Sequence, residues 1–214
     1  MKTITLLLSM LVSLNVAAYE TIKKEERRID SFSSINVGSA FNVVLSQGAK
    51  QSVFVEAEET YIDKIQTTVR NGTLYIELKN LPQRNNRNLK TLNVYITIPT
   101  IRSIEATAAV NVNIQTPIES KGTVAFKLSG ASNLHEFTLN CTKLELELSG
   151  ASKLNVDLTA DELDVNVSGA SNLTISGKVD IVDIDGSGAS HIDLRNLVYN
   201  NGDIDTAGAT KLRK

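Results

Sequence analysis

The sequence predicts an all-β fold: a right-handed parallel β-helix, or β-solenoid, of coils 19–20 residues long, with an N-terminal β-rich part capping one end. Three observations carry this. One phrase recurs as LSGASNL (Leu128–Leu134), LSGASKL (Leu148–Leu154), VSGASNL (Val167–Leu173), GSGASHI (Gly186–Ile192) and TAGATKL (Thr206–Leu212), with its glycines 20, 19, 19 and 20 residues apart. A fixed period of that length marks a stacked-coil architecture. Apolar residues alternate strictly on both sides of each phrase, as in Leu144, Leu146, Leu148 before it and Leu154, Val156, Leu158 after it. Such alternation buries one face of a strand and wets the other. Finally, aromatics are only 5% of the 214 residues and Trp is absent. The core must be aliphatic, which suits a narrow tube.

Taken in order, the chain opens with the pattern of a secretory signal over residues 1–18. Lys2 supplies a basic start, and Ile4–Val16 is apolar apart from Thr5, Ser9, Ser13 and Asn15. Val16-Ala17-Ala18 places small residues where cleavage before Tyr19 needs them. The apolar run is too short to span a bilayer, and no later run is long enough. Residues 19–28 read as a charged, solvated lead-in (ETIKKEERR at Glu20–Arg28). A single β domain follows over 29–214. Its first part, 29–100, holds alternating Phe32, Ile35 and Val37, a strand over Gly38–Leu45, another over Ser52–Ala57, and one or two helical turns within Glu58–Lys64. Asn71-Gly72 between alternating runs predicts a hairpin. The polar stretch Asn80–Lys90, with Arg84, Arg87 and Lys90, reads as a mobile loop tip, and Leu92–Pro99 as a strand stopped by Pro99. The second part, 101–214, holds the coils. Ile101–Ile114 is an imperfect one, with Ala108 where the phrase glycine would sit.

Each coil of about 19 residues has a contour of roughly 60 Å, and stacked neighbours lie about 4.8 Å apart. Parallel crossovers of this kind are right-handed. The phrase then reads as a corner built by Ser129 and Gly130, Ser149 and Gly150, Ser168 and Gly169, Ser187 and Gly188, and Gly208. Glycine supplies a positive φ. Alanine is expected to fit where the corner bends inward. The serine hydroxyls can bond corner backbone groups, or one another up the column. The following residue (Asn133, Lys153, Asn172, His191 or Lys211) varies in charge, so it should point outward.

Composition narrows the function. A net charge of −2 gives no basis for nucleic-acid binding. The single cysteine, Cys141, can form no internal disulfide and reads as a small buried hydrophobe near a corner. A nucleophilic serine needs a base, yet only His191 of the two histidines adjoins a phrase, and none reads Gly-x-Ser-x-Gly. Five near-copies indicate repeated structure rather than an active site. No catalytic residue and no cofactor is assigned. Aligning the glycines makes an acidic ladder of Glu145 and Glu147, Asp164, Asp183 and Asp185, and Asp203 and Asp205, with Asn166 and Lys127 at equivalent places. It reads as a solvated face. A hard cation such as Ca²⁺ between the columns is the alternative.

The layout resembles a known family. Phe32-x-x-Ile35-x-Val37, the Asn71-Gly72-x-Leu74 hairpin, the strand ending Ile98-Pro99 and the Ser-Gly-Ala-Ser repeats look like the head GIN domain of the auto-transporter adhesin family. The resemblance covers Ile29 to Lys214. It implies an exported or envelope β-helical protein and supplies no catalytic residues. The leading expectation is therefore a non-enzymatic exported binding or adhesion-type protein, periplasmic, secreted or at the cell surface. Its partner would be a glycan or an envelope protein. A structural envelope scaffold is the alternative, and a carbohydrate-active enzyme using the acidic columns is a weaker one. The oligomeric state stays open.

Overall fold

The computed structural model describes residues 21–79 and 91–214. The expected signal segment and the Asn80–Lys90 loop lie outside the described residues. In chain order the elements are β1 (Ile22–Glu26), β2 (Ser34–Val37), β3 (Asn42–Gln47), β4 (Ser52–Glu58), α1 (Glu59–Ile62), β5 (Ile65–Arg70), β6 (Thr73–Leu78), β7 (Leu92–Ile98), β8 (Ser103–Ala106), β9 (Asn111–Ile114), β10 (Ile118–Glu119), β11 (Thr123–Leu128), β12 (Asn133–Leu148), β13 (Lys153–Val167), β14 (Asn172–Gly186), β15 (His191–Thr206) and β16 (Lys211–Arg213). They form a β-solenoid of two facing parallel stacks. Strands entering the phrase corner stack as β6, β2, β8 and β11, then the second halves of β12 to β15. Strands leaving it stack as β7, β3 and β9, then the first halves of β12 to β15, then β16.

The core runs as one aliphatic strip between the stacks. Leu144, Leu163 and Val182 lie in register on one side, Leu154, Leu173 and Ile192 on the other, and all are buried. One pair of rings bridges the tube: Phe126 and Phe137 meet edge to face, 5.5 Å between centroids.

The N-terminal part is more deeply integrated than a separate cap. β2–β3 and β6–β7 are themselves coil layers, and β2–β3 lies between β6–β7 and β8–β9 although it comes first in the chain. Only the antiparallel strands close this end, β5 on β6, β4 on β7 and β1 on β4. The hairpin at Asn71-Gly72 forms as expected, both residues with positive φ (50° and 74°). The charged lead-in is largely exposed, as expected of a solvated run, yet it contains β1, which pairs with β4 and so is regular structure where none was expected. Its charges hid a strand because they do not face water alone. The Lys24 ammonium lies 3.7 Å from the Tyr95 ring centroid and 5.5 Å from that of Phe54, and Glu25 pairs with Lys23 and Arg27. Similarly, the strand expected over Gly38–Leu45 begins only at Asn42, because Gly38-Ser39-Ala40 turns a corner.

Among the described residues that corner is one of seven in one column: Ser39, Ala108, Gly130, Gly150, Gly169, Gly188 and Gly208, all with φ between 65° and 75°. The alanine amide after each residue donates to the carbonyl of the corner residue one coil earlier: Ala151 to Gly130 (2.7 Å), Ala170 to Gly150 (2.7 Å) and Ala189 to Gly169 (2.8 Å). The approach excludes a side chain. A Cβ on Gly150 would lie 2.5 Å from the Gly130 oxygen. Ala108 has such a Cβ, and the gap on the Ser39 side of it is wider: the Ala109 amide is 3.2 Å from the Ser39 carbonyl, whereas the Ala131 amide is 2.5 Å from the Ala108 carbonyl.

The rest of the phrase differs from expectation in an informative way. The alanines Ala131, Ala151, Ala170 and Ala189 are exposed, whereas the second serine is buried at Ser132, Ser152, Ser171 and Ser190. The inward place needs more than small size. Ser132 Oγ donates to the Ser129 carbonyl (2.9 Å), Ser152 to Ser149 (2.8 Å) and Ser190 to Ser187 (2.7 Å), and Thr210 repeats this with Ala207 (2.8 Å). A hydroxyl closes the turn across three residues, and alanine could not. Hydroxyl-to-hydroxyl bonds up the column do not form. The first serines Ser168 and Ser187 point instead to carbonyls of the preceding coil, Leu148 and Val167, at 3.4 and 3.5 Å.

Two outcomes follow. Gly150→Ala combines a left-handed alanine with a backbone clash and should destabilise by roughly 2–4 kcal/mol. Ala108→Gly should stabilise by about 0.5–1 kcal/mol. Urea denaturation checks both, and equal effects at the two positions would refute the distinction. At the opposite corner Cys141 is half-buried beside the core, and burial, with Asp161 nearby, pushes its thiol up to about 11. It should react with a disulfide reagent at pH 8 about a hundredfold more slowly than an unperturbed cysteine, since the thiolate is the nucleophile.

Candidate functional site

The register places the predicted acidic residues as the spacing implied. On the face entering the phrase corner, Glu145, Asp164, Asp183 and Asp203 follow one another in one outward column, with Ala125 before them. The neighbouring column runs Asn36, Glu105, Lys127, Glu147, Asn166, Asp185 and Asp205. Two residues apart on each strand, the columns are parallel and share one wet face.

Their charge is unevenly balanced. In the earlier coils Lys127 pairs with Glu147 at 2.7 Å, while Lys143 lies 3.3 Å from Glu145 and 3.6 Å from Asp164. The hydrogen bond to Glu147 raises the Lys127 pKa, and that to Glu145 raises the pKa of Lys143. Asn36 donates to Glu105 at 2.7 Å. Lysine thus supplies the positive charge that crowded carboxylates require. Among the described residues no such ion pair reaches Asp183, Asp185, Asp203 or Asp205, so negative charge concentrates in the last coils. Nor, among the described residues, do three carboxylate, imidazole or thiol groups converge closely enough to hold a metal ion.

Shallow gullies run between these columns. One of about 490 Å³ lies between Glu147, Asn166, Asp185 and Asp205 on one side and Ser168 and Ser187 of the corner on the other. A second, about 280 Å³, lies between the two acidic columns. The corner serines thus have a second role as a wall, though their main one is structural. The corner glycines Gly130, Gly150, Gly169, Gly188 and Gly208 have the positive φ the phrase implied.

The opposite face carries a ladder whose later members, Asn133 to Lys211, were expected to point outward and whose earlier members, Asn93, Asn42 and Asn111, the sequence reading missed. The outward column after the corner begins with Asn93, Asn42, Asn111 and Asn133 and continues through Lys153, Asn172, His191 and Lys211. Its amides bond in series: Asn42 donates to Asn93 (3.2 Å), Asn111 to Asn42 (3.2 Å) and Asn133 to Asn111 (3.1 Å). At its N-terminal end Glu56 accepts from the Tyr95 hydroxyl (2.5 Å) and lies 3.5 Å from the Asn93 amide. These asparagines were findable only with the stacking order, which places residue 93 beside 42 and 42 beside 111. Near the C-terminal end, Arg195 grips Asp193 and, by hydrogen bonding, holds its carboxyl down at about 2.

Among the described residues no helix is long and apolar enough to cross a membrane. Three solved structures share the fold. A "putative adhesin" from Parabacteroides distasonis ATCC 8503 aligns with a TM-score of 0.78 and 16% identity, over 90% of this chain and 81% of that one. One from Bacteroides fragilis NCTC 9343 gives 0.62 and 15%, over 91% and 97%. One from Parabacteroides merdae ATCC 43184 gives 0.54 and 12%, over 89% and 95%. No curated protein matches the chain. Residues 31–213 match the family described as "Putative auto-transporter adhesin, head GIN domain", and with its repeated corners and solenoid the chain belongs to that family.

Proposed function

We propose that this is an exported, non-enzymatic binding protein of the bacterial envelope, which engages a glycan or protein surface through the ladder face. The observation that carries the reading is the register of that face. Carboxylates recur coil after coil in straight columns, on a backbone held by a hydrogen-bonded corner in the coils from Gly130 to Gly208. A preorganised array loses little entropy on binding, so weak contacts made many times add up. The adhesin names of the family and of the similar structures support a binding role. Export rests on the signal pattern of residues 1–18 and on the family name.

Charge sets the expected chemistry. Four unpaired aspartates at the end of the ladder favour a partner with exposed cationic groups, and such contacts weaken with salt. The purified protein should be retained by an envelope fraction or a glycan array. The combined change Asp183→Asn, Asp185→Asn, Asp203→Asn and Asp205→Asn should weaken retention at least tenfold while leaving the melting temperature within a few degrees. Unchanged retention by that variant would sink the ladder as the binding face. Mass spectrometry of protein made with its full leader should find a mature chain starting at Tyr19 outside the cytoplasm. An intact Met1 on cytoplasmic protein would remove the export reading.

A further inference from the structure

Among the described residues an open depression of about 620 Å³ lies on the edge of the tube opposite the phrase corner and near the capped end. Four separate segments meet there. They are the run before β2, the β3–β4 turn, the β5–β6 turn and the β7–β8 connection, and they contribute Ser31, Ser33, Lys50, Gln51, Thr100 and Arg102. We infer that this cleft binds an acidic sugar, with Arg102 and Lys50 taking its carboxylate.

Charge is the first argument. Lys50 and Arg102 are the only ionisable residues in the lining. Both are exposed, and among the described residues neither makes an ion pair. Two unpaired cations without a carboxylate contrast with the acidic ladder, so the two surfaces select ligands of opposite sign. A guanidinium presents a fork that matches a carboxylate, and an ammonium adds a mobile point charge.

Construction is the second. The walls are pinned by two glutamines. Gln51 accepts from the Phe32 amide (3.2 Å) and donates to the Asp30 carbonyl (3.0 Å). Gln47 donates to the carbonyls of Pro99 (2.9 Å) and Glu119 (3.0 Å) and accepts from the Glu119 amide (2.7 Å). Backbone bonds finish the frame, from Ser33 to Gly72 (3.0 Å) and from Arg102 to Ser33 (2.8 Å). A cleft held this way exists before its ligand arrives. Ser31, Ser33 and Thr100 offer hydroxyl groups for those of a sugar, and the exposed Pro99 ring beside them offers carbon surface to its C–H face, while Phe32 is buried beneath.

The inference is independent of the ladder face, and the test keeps them apart. Galacturonic acid, galactose and inorganic phosphate are titrated separately into the ¹⁵N-labelled protein. Galacturonate should shift the amides of residues 31–33, 49–51 and 100–102 in a saturable way. Galactose and phosphate should each bind at least tenfold more weakly. Combined Lys50→Ala and Arg102→Ala, at two exposed positions, should weaken galacturonate at least tenfold with an unchanged melt. The fourfold aspartate-to-asparagine ladder variant should bind it as well as the parent does. No saturable shift, equal binding of galactose or of phosphate, or full binding by the double variant would each overturn the assignment. Loss of galacturonate binding in the ladder variant would overturn the claim of two separate surfaces.

Discussion

The structure depends on how closely backbone can approach backbone at the phrase corner. In each coil an amide reaches the corner carbonyl one coil earlier at 2.7–2.8 Å from Gly130 onward, and no Cβ fits in that gap. Glycine at a positive φ answers the turn and the approach together. The buried serine hydroxyl closes the turn from inside at Ser132, Ser152 and Ser190, whereas Ser171 keeps its buried hydroxyl without a partner. Once these are fixed, the strands on either side have little freedom. A slip of one residue would turn Leu144, Leu163 and Val182 out to water and the ladder carboxylates into the core.

Much of this was legible because the repeat is nearly perfect where the constraint is tightest. The glycine spacing alone gives the coil length, the corner column and the acidic ladder, and the pairing of Glu145 with Asp164 and Asp183 follows by counting. What counting could not give was the layer order at the N-terminal end. Ser39 belongs to the same column as Gly130, yet its surroundings read Gly-Ser-Ala-Phe. The approach between Ser39 and Ala108 is wider, 3.2 Å from the Ala109 amide to the Ser39 carbonyl, and a wider approach leaves room for a Cβ there. The asparagine ladder was hidden for the same reason, since its members at 93, 42 and 111 are neighbours only through a coil inserted out of chain order. β1 was hidden by its charges, which pair with one another and, at Lys24, lie over the Tyr95 ring.

The site itself was legible in part. Sequence located the ladder carboxylates but not their balance, because the pairing of Lys143 with both Glu145 and Asp164 spans two coils. It also assigned the inward corner position to alanine by size, when hydrogen bonding decides it for serine. The division of labour is physical. Corners use the backbone and are nearly invariant between copies, whereas the outward columns bear no packing load and can differ from coil to coil. The differing residues are therefore where a binding specificity can be written, and they leave an acidic face at one end of the tube and a cationic cleft near the other.

Amide hydrogen exchange at Ala151, Ala170 and Ala189 tests the corner column most directly. Turn amides at a surface exchange through local fluctuation, whereas amides that hold the stack exchange only when it unfolds. These three should be protected to the same free energy as the flanking strand amides of Leu154 and Leu173, despite the exposure of the alanine side chains. Exchange at the rate of an open turn, with the strands still protected, would contradict a fold organised by its corners.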